Sequence, residues 1–234
     1  MIQEHSIRTY VNRSRRMTAY QRASLESFYS TFCIPYNRIS ETSSSSLEPL
    51  SFSSIFGNDK PVVIEIGFGM GDATFQIAQK RDEYNYLGIE VFKAGVASLL
   101  GKIGNSLLSN IRIIEGDAVR ILEELIMPSS ISAFHIFFPD PWQKKKHNKR
   151  RFIKRPITNL LQEKLKVDGY IYMVTDWEDY AKSAFIELSK TECLKSCYNG
   201  FAPKQSWRAQ TKFELKAIKE GRAIRELMFK KVIE

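Results

Sequence analysis

From Lys60 onward, short apolar runs ending in turn residues alternate with segments of helical spacing, and this alternation constrains the fold more than any other feature. "PVVIEIGF" is rich in β-branched residues, has no polar alternation before Glu65 and closes on glycine. That is the pattern of a strand buried on both faces. "DATFQIAQKR" follows at helical spacing with Asp72 at its start, where a carboxylate suits the helix dipole. "YNYLGIEV" with "FKAGVASLLGKIG", and "NIRIIEGD" with "AVRILEELIM", repeat the pair. "ISAFHIFF", a helix from Pro156 through Lys166, and "GYIYMVTD" continue it. The C-terminal "RAIRELMFKKVI" leaves strand and helix both open. Strands joined through helices pair in parallel, so the expected fold is an α/β doubly wound sheet.

In such sheets ligands sit beyond the carboxyl ends of the strands, around the switch in strand order. Four acids fall there: Glu65 at the end of the first strand, Glu90 at the second, Asp117 just past the third and Asp140 just past the fourth. Gly67, Gly69 and Gly71 lie in the turn after the first strand, where glycine lets the backbone bend tightly and approach a ligand. A dinucleotide site would need a small residue at position 72, and Asp72 stands there instead, where it repels a pyrophosphate. Glu90, 23 residues after Gly67, has the spacing of an acid that takes ribose hydroxyls. A nucleoside without phosphate and with a cationic end fits this set. S-adenosylmethionine is that molecule, its ribose toward Glu90, its adenine amine toward Asp117 and its ammonium near Glu65.

Composition enters through charge. Thirty-five Lys and Arg against twenty-six Asp and Glu give +9, and Lys144 through Arg155 hold eight cations and no acid, leaving the rest of the chain at +1. Charge gathered in one place points to a polyanion footprint. The block follows "FPDPW" directly, so phosphate contacts would orient a nucleic acid while Asp140 and Trp142 hold one base, the indole by stacking. Three unpaired-looking cysteines, no apolar run long enough to span a membrane and no signal-peptide core suggest a reducing cytoplasm. The histidines have no ligand spacing, so no metal is expected, and His135, inside a strand, reads as a satisfied core residue.

These residues resemble the bacterial tRNA (guanine-N7-)-methyltransferases, class I S-adenosylmethionine-dependent enzymes. The resemblance runs from "RTYVNRSRRMT" to "ELMF", and "EIGFGMG", "FPDPWQKKKHNKRR", "VTDWEDYA" and "TKFE" carry it. It implies a mostly parallel seven-stranded sheet; the serine content after residue 38 separately marks a basic arm over residues 1–38, a serine-rich linker over 39–59 and the methyltransferase domain over 60–234. The resemblance also implies that Glu65, Glu90, Asp117 and Asp140 contact the cofactor together with Gly67, Gly69 and Gly71, Asp140 being catalytic as well. Lys144, Asp176, Thr211, Lys212, Phe213 and Glu214 would hold substrate, and Lys146, His147, Asn148, Lys149, Arg150 and Arg151 would touch RNA. The reaction implied is methylation of guanine 46 in the tRNA variable loop by a monomer or homodimer without an obligatory partner. Gln143, Asn148 and Lys216-Ala217 depart from the family's common residues. Two rivals remain: a methyltransferase of another RNA or base, and a non-catalytic RNA-binding protein of the same fold. The arginines of the arm leave tRNA contact and a solvated helix both open.

Overall fold

In the computed structural model, which describes residues 8–11, 16–36 and 48–232, alternate residues of the first strand supply two separate cores. Strand β1 (Val62–Ile66) sends Val62, Ile64 and Ile66 to one side and Val63 to the other. The period of two along a strand places neighbours on opposite faces, and an unbroken apolar run therefore needs cover on both. Strands β2 (Asn85–Glu90), β3 (Ile111–Glu115), β4 (Ile131–Phe137) and β5 (Leu165–Thr175) follow, then β6 (Leu194–Ser196) and β7 (Arg225–Lys231). Their order is β3-β2-β1-β4-β5-β7-β6. The first five pair in parallel, while β7 runs antiparallel to both β5 and β6. The switch in strand order lies between β1 and β4.

The helices are α1 (Ala19–Phe32), α2 (Phe52–Phe56), α3 (Asp72–Lys80), α4 (Lys93–Gly104), α5 (Ala118–Leu125), α6 (Ile157–Lys164), α7 (Glu178–Ser189) and α8 (Lys212–Lys219). A 3-10 helix, Lys145–Arg150, carries the cationic block. The C-terminal segment resolves as a strand. Helix α6 ends before Lys166 because β5 already starts at Leu165, two residues earlier than the helix expected from the sequence.

Two departures from the sequence expectation concern the chain before Lys60. Residues 39–47 of the serine-rich stretch lie outside the described residues, and its distal part carries α2. Phe52, Ile55 and Phe56 share the apolar face of α2, and Phe56 is buried in the core. Serine content hid that face. Helix α1, opened by a reciprocal Thr18 and Gln21 capping box, packs on α4. The Gln21 amide donates to the Ala94 carbonyl at 2.9 Å and the Tyr20 hydroxyl to Gly101 at 3.0 Å. No helix among the described residues is long and apolar enough to cross a membrane.

Candidate active site

The turn from β1 into α3 has Gly67, Gly69 and Gly71 all in the left-handed region, at φ of 72°, 59° and 72°. They do different work. A Cβ at Gly67 or Gly69 would face open space, whereas one at Gly71 would meet Leu99 at 2.7 Å. The first two thus leave open space beside the turn, and the third lets α4 approach. Beside them Glu65 is 2% exposed and its Oε2 has no hydrogen-bond partner. Burial pushes its carboxyl up to about 8, with the Glu90 charge adding to the shift and Thr74 opposing it. A buried acceptor left unsatisfied costs ~1–3 kcal/mol, so the position suits a ligand that brings a donor or positive charge.

Glu90, at the end of β2, accepts from the Gly69 N–H at 2.8 Å, Val91 at 2.7 Å and Phe92 at 2.9 Å. These bonds tie the glycine turn to the second strand. Asp117 caps α5 by accepting from Val119 at 2.9 Å. Burial, then the charge of nearby Asp117, pushes the Tyr10 pKa up. Sequence reasoning did not foresee Tyr10, because it lies 107 residues before Asp117. The four strand-end acids therefore lie where topology placed them. The orphaned Glu65 oxygen and the open glycine backbone fit a cofactor of the kind inferred from the sequence.

Asp140 sits in the loop after β4 between two strained residues. Phe138 and Trp142, neither of them glycine, have φ of 50° and 47°. Such conformations cost ~1–3 kcal/mol each and persist only where the surroundings hold them. The Phe138 N–H donates to Val174 at 2.8 Å. Around Trp142, the indole N–H donates to the Thr9 carbonyl at 3.1 Å and the Arg150 guanidinium stacks 3.8 Å above the ring. Arg150 in turn donates to the carbonyls of Arg8 at 3.0 Å and Tyr10 at 3.3 Å. With its amide turned so that the nitrogen faces them, Asn148 donates to the Trp142 carbonyl at 2.8 Å and the Lys144 carbonyl at 3.3 Å.

The cationic block thus divides. Lys144, Lys146 and Lys149 point to solvent, and His147 is half-buried with its ring edge-on to Trp142 at 6.1 Å. Arg150 engages the N-terminal segment. Arg151, expected on the RNA-facing surface, is only 4% exposed and is turned into the protein.

The "TKFE" motif opens α8, with Thr211 accepting from the Glu214 N–H at 3.1 Å as its cap. The Phe213 ring stacks on Phe138 at 6.2 Å, and Lys212 reaches Asp72 at 3.5 Å. The motif therefore closes onto both the Asp140 loop and the start of α3. Glu214, expected to hold substrate, is instead 3% exposed, with Arg208 bridging it at 2.6 Å and Glu226 of β7 at 2.8 Å. Lys204 also reaches it at 2.9 Å. The pull of these cations holds its carboxyl below the usual range against the cost of burial. Asp176, just past β5, accepts from Arg222 at 2.8 Å. No spacing in the sequence announced Arg208 or Arg222 as partners.

Residues 59–227 match a family model described as a putative methyltransferase. The tRNA (guanine-N(7)-)-methyltransferase of Bordetella pertussis is 41% identical over 225 residues, covering 96% of this chain and 85% of that protein. The enzyme of the same name from Francisella philomiragia is 41% identical over 226 residues, covering 97% and 95%. Among solved structures, a geranyl diphosphate C-methyltransferase from Streptomyces coelicolor has a TM-score of 0.51 at 10% identity, covering 74% of this chain and 73% of that one. A 30S ribosomal methyltransferase from an uncultured bacterium has a TM-score of 0.50 at 18% identity, covering 76% and 91%. These two share the fold. The sheet order, the strand-end acids and the near full-length similarity converge: the chain belongs to the tRNA (guanine-N7-)-methyltransferase family.

Proposed function

We propose that the protein transfers the methyl group of S-adenosylmethionine to N7 of guanine 46 in the tRNA variable loop. The observation that carries this is the seat of Asp140. It is held between two strained residues at the switch in strand order and runs directly into the outward-facing Lys144, Lys146 and Lys149. The relatives' names supply the substrate class. The bound cofactor would supply an electrophilic methyl on a sulfonium. Glu65 would face its ammonium and Glu90 its ribose, while the Gly67 and Gly69 backbone would leave room for it.

Guanine N7 is a lone-pair acceptor that carries no proton, so no general base is required. Asp140 accepts from the guanine N–H edge, fixes the ring behind the methyl carbon and stabilises the positive charge that grows on the base. A rigid loop serves this because orientation, rather than proton transfer, sets the barrier. Exposed lysines on the 3-10 helix hold backbone phosphates without reading sequence.

The test is incubation of the purified protein with methyl-labelled S-adenosylmethionine and unmodified tRNA transcripts carrying guanine or adenine at position 46, followed by nucleoside analysis. Label in 7-methylguanosine from the guanine transcript alone is expected. Label in another nucleoside, in both transcripts, or in neither would remove the assignment.

A further inference from the structure

Three adjacent cations, Lys149, Arg150 and Arg151, leave the 3-10 helix in three directions, and only Arg151 turns inward. Its Nε donates to the Pro141 carbonyl at 3.0 Å, the residue next to Asp140. Its two terminal nitrogens reach α7, donating to Ser183 Oγ at 2.9 Å and to Asp179 at 2.5 Å. The guanidinium also stacks 5.0 Å over the Tyr180 ring of the same helix. The Tyr180 hydroxyl meanwhile accepts from the Ile153 N–H at 3.0 Å. At 4% exposure, with a hydrogen bond from each of its three nitrogens, Arg151 is turned away from the surface where a phosphate would lie.

We infer that Arg151 is a positioning residue, which pins the Asp140 loop to α7 and holds the carboxylate where the acceptor base must sit. This rests on the reaction proposed above. Prolines on both sides of Asp140 stiffen the loop internally, but its attitude relative to the sheet needs an external anchor. A planar fork that bonds a backbone carbonyl on one edge and a helix on the other supplies it. A lysine, with one nitrogen, cannot span both. The charge of Arg151 therefore serves the loop, and the RNA footprint belongs to its exposed neighbours.

The test compares Arg151→Lys, Arg151→Ala and Asp179→Asn with the wild type. Each variant is measured for kcat and KM on tRNA, the salt dependence of tRNA binding, and backbone hydrogen exchange over residues 139–144. The expected result is a kcat lower by roughly tenfold or more for both Arg151 variants, since loss of orientation acts on the transfer step. The lysine variant should keep more activity than the alanine variant. Asp179→Asn should shift kcat in the same direction by less, with faster exchange across the loop in all three and an unchanged salt slope.

A phosphate contact would behave otherwise. Weaker tRNA binding, a salt slope reduced by about one unit and wild-type kcat at saturation would overturn the inference. So would wild-type kcat and loop exchange in Asp179→Asn, which keeps Arg151 and serves if the alanine variant fails to fold. A wild-type enzyme that yields no 7-methylguanosine would sink the reaction assignment instead, and the exchange measurement still decides whether Arg151 pins the loop.

Discussion

Glu65 is the residue at which burial and chemistry meet most directly. Its carboxyl stays protonated near neutrality because burial raises its pKa to about 8. A cationic group arriving beside it favours the carboxylate and drives the proton off. Calorimetry in buffers of differing ionisation enthalpy should therefore show about one proton released per S-adenosylmethionine bound near pH 6.5, with affinity rising as pH increases from about 5 toward 7. Glu65→Gln should abolish the release and weaken binding about tenfold or more. Proton release unchanged in that variant would place the titrating group elsewhere. Glu90 contrasts with it, since three backbone N–H groups already satisfy its carboxylate. One acid holds the turn in shape, and the other waits for charge.

At the scale of elements, the join between α1 and α4 depends on two glycines in a helix. A Cβ at Gly104 would lie 2.4 Å from the Phe28 ring, and one at Gly101 would lie 2.6 Å from the Tyr20 hydroxyl. Alanine favours an isolated helix by ~0.5–1 kcal/mol, but overpacking a close contact costs ~1–3 kcal/mol. Gly104→Ala is expected to lower Tm by a few degrees and to expose α1 to proteolysis ahead of the sheet. An unchanged or raised Tm would show that α1 docks without needing that contact. Similar logic governs α8, whose buried Glu214 is tied through Arg208 to Glu226 of β7. Removing one member of such a pair leaves a buried charge unpaired, which costs more than the pair itself contributes.

Across the whole molecule, stability and pH are linked through the sheet interior. His135 is fully buried in β4, with Nε2 3.1 Å from the Tyr170 hydroxyl and its ring stacked on Trp207 at 4.9 Å. Its Nδ1 has no hydrogen-bond partner, so it is not the fully satisfied core histidine that its strand position suggested. Burial, then the charge of Arg81, pulls its pKa from 6.5 down to about 3. The unfolded chain therefore takes up this proton first. The stability that His135 contributes is present above pH 6.5 and is lost progressively as pH falls toward 3. Denaturant titrations across that range should show His135→Phe losing less stability with acidification than the wild type. Parallel pH profiles for the two proteins would show that other groups dominate the acid limb.

What the sequence by itself determined follows from short-range pattern. Alternating apolar and helical segments admit a parallel sheet, and its topology puts Glu65, Glu90, Asp117 and Asp140 at one edge whatever the remaining side chains do. The cationic block and the proline-flanked acid were legible for the same reason, being contiguous in the chain. Tertiary structure alone decided which way individual side chains turn. Three cations in a row diverged to solvent, to the N-terminal segment and to α7. Glu214 of the "TKFE" motif went to Arg208, and Tyr10 came near enough to Asp117 to feel its charge. A loop side chain takes its direction from partners far away in sequence, and no local periodicity encodes them. The hidden apolar face of α2 likewise became visible only once a core existed for Phe56 to enter.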